Sequence, residues 1–302
     1  MSSETASDSW NVSERIEDVG LQRIGLYAVL GAIVAFYLAP IETGLVTSVK
    51  SKPLSSPPFL PPGPAGFTLS EWSQAFAQLQ SGLVNSILLT VPATILSAFV
   101  GSMAAYGLTN VDWKGKTPII ALLIAGIFIP YQAVLIPLSK FWASIVPLRT
   151  WLAPFWLLPG LTEAHGDLLA LIISHVAYGI PICFLLFRTY YKDLSGEMIE
   201  AARLDGASTA RIYRRVVLPL SVPMFAVTLI YQFTQIWNDL LFALIVIGPS
   251  ETAPVTVPLA TLGNSLSDIG FGIRMAGAFI AAGPTILVYI FFGDKFAEGV
   301  AS

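Results

Sequence analysis

The sequence predicts an all-α integral membrane protein with six transmembrane helices. Of its 302 residues, 55% are hydrophobic and only 12% are charged, and the mean hydropathy is +0.72. The apolar residues are collected in six runs, each close to the ~20 residues that a helix needs to cross a bilayer. The runs lack the alternation of a membrane strand, and a helix satisfies its backbone hydrogen bonds within itself.

The chain divides into a polar start, a long apolar part and a short end. We interpret residues 1–20, which are rich in acidic side chains, as a cytoplasmic tail. Residues 21–298 are predicted to form the transmembrane domain, and residues 299–302 a short C-terminal end. The predicted spans, in chain order, are 22–41, 84–108, 119–138, 168–187, 216–247 and 275–292.

Lysine and arginine residues are distributed unequally between the two sides of the predicted membrane. With the N-terminus inside, 11 of the 16 basic residues fall on the cytoplasmic side and 5 on the opposite side. Cytoplasmic segments of membrane proteins carry the excess of basic residues. We therefore expect both termini to be cytoplasmic, together with the connection between the fourth and fifth spans.

The connection between the fourth and fifth spans, residues 190–215, is a long charged segment between two apolar ones. Residues 199–203 are good helix formers. Gly206 allows a backbone turn that a Cβ atom would hinder, and Asp205 beside it is a natural turn or cap residue. Residues 207–213 can form a second short helix. We predict a helix–turn–helix module outside the bilayer.

This module resembles the EAA loop of ABC-importer permeases. That loop has Glu-Ala-Ala, a glycine six positions after the glutamate, an aliphatic residue ten positions after the glycine, and then Leu-Pro, all of which this chain matches. Isoleucine is usual at the aliphatic position, where this chain has valine. A helical hairpin that merely links two spans is the alternative interpretation. The matching residues are Glu200, Ala201, Ala202, Gly206, Val216, Leu218 and Pro219.

Further runs extend the resemblance to the second permease subunit of maltose-type carbohydrate importers, over about residues 20–300. Asn85 and Ser86 open the second span, and the run Ile-Pro-Tyr-Gln at 129–132 lies in the third. The run Trp-Asn-Asp at 237–239, in the fifth span, favours a sugar as the transported solute.

The resemblance implies a permease subunit that forms half of the path for a sugar in the cytoplasmic membrane of a prokaryote. The implied partners are a second permease subunit, two ATPase subunits and an extracytoplasmic solute-binding protein. ATP and Mg would bind to the ATPase subunits, so this chain would be no enzyme and would carry no cofactor. The residues implied in coupling to the ATPases are Glu200, Ala201, Ala202, Asp205, Gly206, Ala207, Leu218 and Pro219.

Polar side chains recur on one face of the fifth predicted span. From Thr228 onwards they are spaced by four, three and four residues, which places them on one side of a helix. Amides, a carboxylate and an aromatic ring are groups that bind a neutral sugar. Hydrogen bonds between spans are an equally supported interpretation. The candidates for the substrate path are Gln232, Gln235, Trp237, Asn238 and Asp239.

Other function classes find little support in the sequence. Cys183 is the single cysteine, so no disulfide and no cysteine-based metal site can form within one chain. We predict no metal site and no catalytic residue. His165 and His175 are interpreted as a loop residue and a packed helix residue. The chain has neither a phosphate-binding loop nor a basic surface for nucleic acid.

Two alternatives stay open at this point. The first is an ABC permease for another solute, such as glycerol phosphate, a polyamine or a peptide. The second is a secondary transporter that works alone, which would be indicated by paired ionisable residues along the path or by repeats with broken helices. The sequence gives no sign of either feature.

Overall fold

The computed structural model describes residues 12–111, 113–194, 196–263 and 270–301, and within them the chain is predominantly helical. The predicted all-α class is confirmed for these residues, whose strand-like pairing is limited to an isolated bridge between Lys50 and Phe67. The α-helices are α1 Val12–Ser48, α2 Ser70–Asn110, α3 Lys116–Ile127, α4 Leu135–Lys140, α5 Leu148–Trp151, α6 His165–Asp193, α7 Gly196–Leu204, α8 Thr209–Ile212, α9 Leu218–Leu220, α10 Val222–Trp237, α11 Leu241–Val246, α12 Thr256–Thr261 and α13 Phe271–Ala301.

Four of the described helices are long and apolar enough to cross a membrane by themselves, namely α1, α2, α6 and α13. Two more candidate spans are helix pairs with a sharp bend. The pair of α3 and Tyr131–Trp151 is bent by 103°, and the pair of Thr209–Leu220 and α10 is bent by 76°. The predicted six spans are reached if each bent pair counts as one.

The third predicted span is not one continuous helix. Within the predicted residues 119–138, α3 ends at Ile127 and a short 3₁₀ turn, Tyr131–Val134, precedes α4. Pro130 explains the break, because it has no N–H to donate and disfavours helical geometry in the residue before it.

The fifth predicted span, residues 216–247, is also divided. α9 and α10 meet at a bend at Ser221, with a proline on each side, and α10 ends at Trp237. α11 then begins as a separate helix, because the Asp239 carboxylate accepts hydrogen bonds from the backbone N–H groups of Phe242 and Ala243, at 3.3 and 3.1 Å. These donors have no partner within their own helix.

α2 and α6 pack along one another at the centre of the molecule, and α10 and α13 pack against α2. α1 contacts α13 near Gly44, while its apolar side chains from Ile24 to Ile41 are exposed, as suits a helix that faces lipid or a partner. α1 starts inside the predicted tail and α13 runs to residue 301. Residues 1–11 and 302 lie outside the described part, so the proposed domain limits stay predictions.

Candidate functional site

The predicted helix–turn–helix module is formed by α7 and α8, which we call the coupling hairpin (residues 196–212). Gly206 adopts a φ of +76°, in the left-handed region that favours glycine. The Gly206 N–H donates to the Arg203 carbonyl and the Ala207 N–H to the Ala202 carbonyl, each at 3.0 Å. These two bonds form a Schellman motif, which ends α7 and satisfies its last carbonyl groups.

The second helix of the hairpin begins later than the sequence suggested. Ala207 closes the turn, so α8 starts at Thr209, and the Ser208 hydroxyl caps it by accepting a hydrogen bond from the Arg211 N–H at 3.4 Å. Asp205 lies at the C-terminal end of α7 and caps no helix start.

One face of the coupling hairpin is attached to the helix bundle. Ile199 and Ile212 are buried and pack with Phe187 and Val217 in an apolar cluster at this end of the molecule. The Arg203 guanidinium donates to the Asn110 carbonyl at the end of α2, at 2.5 Å. Because these contacts come from both α7 and α8, the hairpin is held as a unit against the bundle.

The opposite face of the hairpin is open. Leu204 is 90% exposed and Met198 is 45% exposed, an unusual degree of exposure for apolar side chains on a charged segment. The predicted coupling residues divide into three groups. The exposed ones around this face are Glu200, Ala201, Asp205 and Gly206, and the half-buried ones at its edge are Ala202 and Ala207. The last two, Leu218 and Pro219, lie outside the hairpin in α9.

A cluster of buried hydroxyl groups connects the hairpin to the bundle. The Ser102 hydroxyl, on α2, lies 2.6 Å from the Tyr191 hydroxyl and 2.8 Å from the Tyr213 hydroxyl. Ser221, at the bend between α9 and α10, donates to the Tyr191 hydroxyl at 3.3 Å. The cluster therefore joins α2, α6, the segment after α8 and the bend before α10.

The polar residues of the fifth predicted span divide into two groups. Gln232, Gln235 and Asp239 line a cavity of about 350 Å³ between α3, α6 and α10. Trp237 is buried, and its indole N–H donates to the Ala281 carbonyl on α13 at 2.9 Å. The Asn238 amide donates to the Thr234 carbonyl at 2.8 Å, and neither Trp237 nor Asn238 borders the cavity.

The Asp239 carboxylate is surrounded by groups from several elements. The Tyr131 hydroxyl, from the turn after α3, donates to it, as do the N–H groups at the start of α11. The Nε2 atom of His175, on α6, lies 3.4 Å from it. The Asp239 carbonyl accepts a hydrogen bond from Thr256 at 2.6 Å. Asp239 thus connects the turn after α3 with α6, α11 and α12 at one end of the cavity.

Four polar side chains of the cavity were not among the predicted substrate contacts: Tyr131, His175, Tyr178 and Tyr231. His175 is 5% exposed, as expected for a packed helix residue, but it is paired with Asp239 rather than isolated. The spacing of His175 and Tyr178 by three residues places both on one face of α6. This signal was available in the sequence, but the partner across the cavity was not.

The described residues contain no group of three or more His, Cys, Asp or Glu side chains arranged to hold a metal ion. The chemistry that the site offers is hydrogen bonding and aromatic contact.

The chain matches a family model over residues 66–300, described as the inner membrane component of binding-protein-dependent transport systems. It is 45% identical to the xylose/arabinose import permease protein of Haloferax volcanii, over 99% of both chains. It is 26% identical to the trehalose transport system permease protein of Mycobacterium tuberculosis, over 94% of this chain and 98% of the other.

The fold resembles a solved chain of a bacterial ABC transporter involved in the import of alginate. The TM-score is 0.70 at 20% identity, and the match covers 97% of this chain and 100% of the other. At this identity the structural match shows a shared fold only. Membership of a family is shown by the match to the family model. The resemblance read from the residues is confirmed: the chain belongs to the family of inner-membrane permease components of binding-protein-dependent ABC transporters.

Proposed function

We propose that this chain is a permease subunit that forms half of the path for a sugar and couples that path to ATPase subunits through the coupling hairpin. The observation that carries the proposal is the open face of the hairpin, on a chain of this family. Leu204 and Met198 present apolar area there, beside the charged groups of Glu200 and Asp205. An apolar centre with a polar rim is the usual composition of a protein interface.

The ATPase subunits would bind ATP and Mg, and this chain would transmit their movement. The hairpin is attached to the bundle at both of its helices, so a force on its open face reaches α2, α6 and α10. Such a rigid-body movement would switch the path between its inward-facing and outward-facing states. Glu200 would make a polar contact with the ATPase subunit, and the small residues Ala201, Ala202 and Ala207 would permit close packing.

A sugar is the solute that the relatives favour. The named relatives are permeases for xylose or arabinose and for trehalose, and the related solved structure serves alginate import. The remaining partners are a second permease subunit and an extracytoplasmic solute-binding protein, and the family's description as binding-protein-dependent supports the second of these. We place both termini and the coupling hairpin in the cytoplasm, on the distribution of basic residues.

Reconstitution into liposomes tests this function. The complete importer, with its ATPase and binding-protein partners, is expected to accumulate a radiolabelled sugar only when ATP is present. The isolated chain, inserted at the same density, is expected to move no sugar with or without ATP. Sugar movement by the isolated chain without nucleotide would contradict the proposed function.

A second candidate function is a transporter that works alone, favoured by the two ionisable side chains of His175 and Asp239, which lie 3.4 Å apart beside the cavity. Buried ionisable pairs within membranes are frequent in transporters driven by ion gradients. The same liposomes distinguish this candidate, because it requires sugar uptake by the isolated chain under an imposed proton gradient.

A further inference from the structure

The cavity between α3, α6 and α10 contains polar groups that the protein itself does not satisfy. His175 is 5% exposed, and its Nε2 atom has no hydrogen-bond partner among the described residues, although Asp239 lies at 3.4 Å. Gln232 is 4% exposed, and its amide makes no hydrogen bond to another described residue. A buried polar group without a partner costs free energy, so each such group indicates a missing partner.

Other polar groups of the cavity are already engaged. The Asp239 carboxylate accepts hydrogen bonds from Tyr131 and from the start of α11. The Tyr178 hydroxyl donates to the Ile129 carbonyl at 3.1 Å. These contacts fix the two tyrosine rings at the cavity wall and leave their hydroxyl groups occupied. The lining groups that take no part in these hydrogen bonds are the neutral amides, the Tyr231 hydroxyl and the His175 imidazole, which lies 3.4 Å from Asp239.

Gly179 creates the position that Gln232 occupies. A Cβ atom at residue 179 would overlap the Nε2 atom of Gln232 and lie 2.9 Å from the Ser97 hydroxyl. The absence of a side chain therefore lets the Gln232 amide sit in the wall of the cavity, between α2 and α6. A larger residue at position 179 would push that amide into the cavity.

We propose that this cavity is a subsite for a single ring of a neutral sugar, in which Gln232, Gln235 and His175 bind hydroxyl groups and Asp239 acts only to position the wall. The proposal rests on the proposed function and deepens it. The cavity of about 350 Å³ lies at the small end of ligand sites, which suits one ring rather than an oligosaccharide. Tyr131 and Tyr178 supply aromatic surface for the apolar face of the ring.

The lining also selects against charge. Neither lysine nor arginine is among the described residues that line the cavity. An anionic sugar would lose its hydration there without gaining a cationic partner, while Asp239 would repel it. The subsite is therefore expected to prefer a neutral ring to a uronic acid of similar size.

Equilibrium binding to the complete importer in detergent, without the binding protein, tests the subsite. The probes are radiolabelled D-xylose as the neutral ring and D-glucuronate as its anionic counterpart. We expect saturable binding of D-xylose and little competition by D-glucuronate. Equal competition by D-glucuronate would overturn the neutral substrate class.

The variants Gln232→Leu and His175→Phe remove a hydrogen-bonding group at similar volume and are each expected to raise the Kd for D-xylose about fivefold to tenfold. Gln78→Leu, the same substitution at an exposed position of α2, is the matched control and is expected to bind like the wild type. Gly179→Ala is a second route, since its Cβ atom would displace the Gln232 amide and crowd the Ser97 hydroxyl, and it should also weaken binding.

Two failures can be told apart. If the complete wild-type importer shows no ATP-dependent sugar uptake in liposomes, the proposed function is wrong. If it transports sugar but Gln232→Leu, His175→Phe and Gly179→Ala all bind D-xylose like the Gln78→Leu control, the subsite is wrong and ordered water is the partner of the free groups.

Discussion

Gly206 sets the geometry of the coupling hairpin through its backbone alone. Its φ of +76° lies in a region that costs an L-residue about 1–2 kcal/mol. A Cβ atom there would meet no other atom of this chain within 4 Å. The requirement for glycine in the isolated chain is therefore conformational, and any steric requirement at this position must come from a partner.

Substitutions at Gly206 separate these two requirements. Gly206→Ala is expected to strain the turn, to lower ATP-dependent uptake several-fold and to reduce the amount of ATPase subunit that copurifies. Gly206→Asn has a longer side chain, but asparagine tolerates positive φ better. If the positive φ is the reason for glycine at this position, Gly206→Asn is expected to retain more ATP-dependent uptake than Gly206→Ala.

Gly196→Ala is the matched control, because Gly196 lies on the same hairpin with open space around it and without a positive φ. It is expected to behave like the wild type in both measurements. Gly206→Ala with the uptake and copurification of this control would refute the role of the turn. A defect confined to Gly206→Asn would instead show that a partner approaches this glycine closely.

At the scale of elements, the hydroxyl cluster connects the hairpin to the helices that line the cavity. Ser102 is fully buried, and its hydroxyl is shared by Tyr191 of α6 and Tyr213 of the segment after α8. Ser221 joins the same cluster at the bend before α10. Movement of the hairpin must rearrange or carry this cluster, because its members come from each adjoining element.

A double-mutant cycle tests whether the cluster acts as a unit. Ser102→Ala leaves the Tyr213 hydroxyl without its partner and is expected to lower the free energy of unfolding by about 1–3 kcal/mol. Tyr213→Phe removes the partner instead and should cost less, because Ser102 keeps its contact with Tyr191. Thermal unfolding of the purified chain in detergent gives both values.

The double variant is expected to lose less stability than the sum of the single variants, since residues in one network are coupled. Ser73→Ala, at an exposed position of the same helix α2, serves as the control and should cost little. Additive losses in the cycle would mean that the two hydroxyl groups do not depend on each other.

At the scale of the whole molecule, the coupling hairpin and the cavity occupy different parts of one bundle. The hairpin packs on the cluster around Phe187 and Val217, while the cavity borders the cluster that contains Ile236 and Phe242. Two elements contribute to both regions. One is α6, and the other is the bent helix pair formed by Thr209–Leu220 and α10. This arrangement separates the place where force would enter from the place where a solute would bind.

The orientation of the bundle can be measured with a single thiol. Cys183 is buried, so the wild-type chain is expected not to react with a membrane-impermeant maleimide. Ser55→Cys, between α1 and α2, should react on intact cells. Lys192→Cys, at the end of α6, should react only after the membrane is opened. The reverse pattern would place the termini outside.

The sequence by itself determined the helical class, the approximate position of the spans and the turn at Gly206. Each follows from a local rule: backbone groups in lipid must bond within their own helix, and a left-handed turn favours glycine. Local rules gave less at Asp239, where the apolar run continues past the end of α10. There the hydrophobicity of the run hid the start of a new helix that the Asp239 carboxylate caps.

Only the tertiary structure decided which polar residues share a cavity. Tyr131 and Asp239 are 108 positions apart in the chain, and His175 reaches Asp239 from another helix. Their meeting depends on how α3, α6 and α10 pack, which no helical period encodes. That packing leaves the amide of Gln232 beside the cavity, whereas Trp237 and Asn238 lie off the helix face that Gln232 and Gln235 share and bond to other groups.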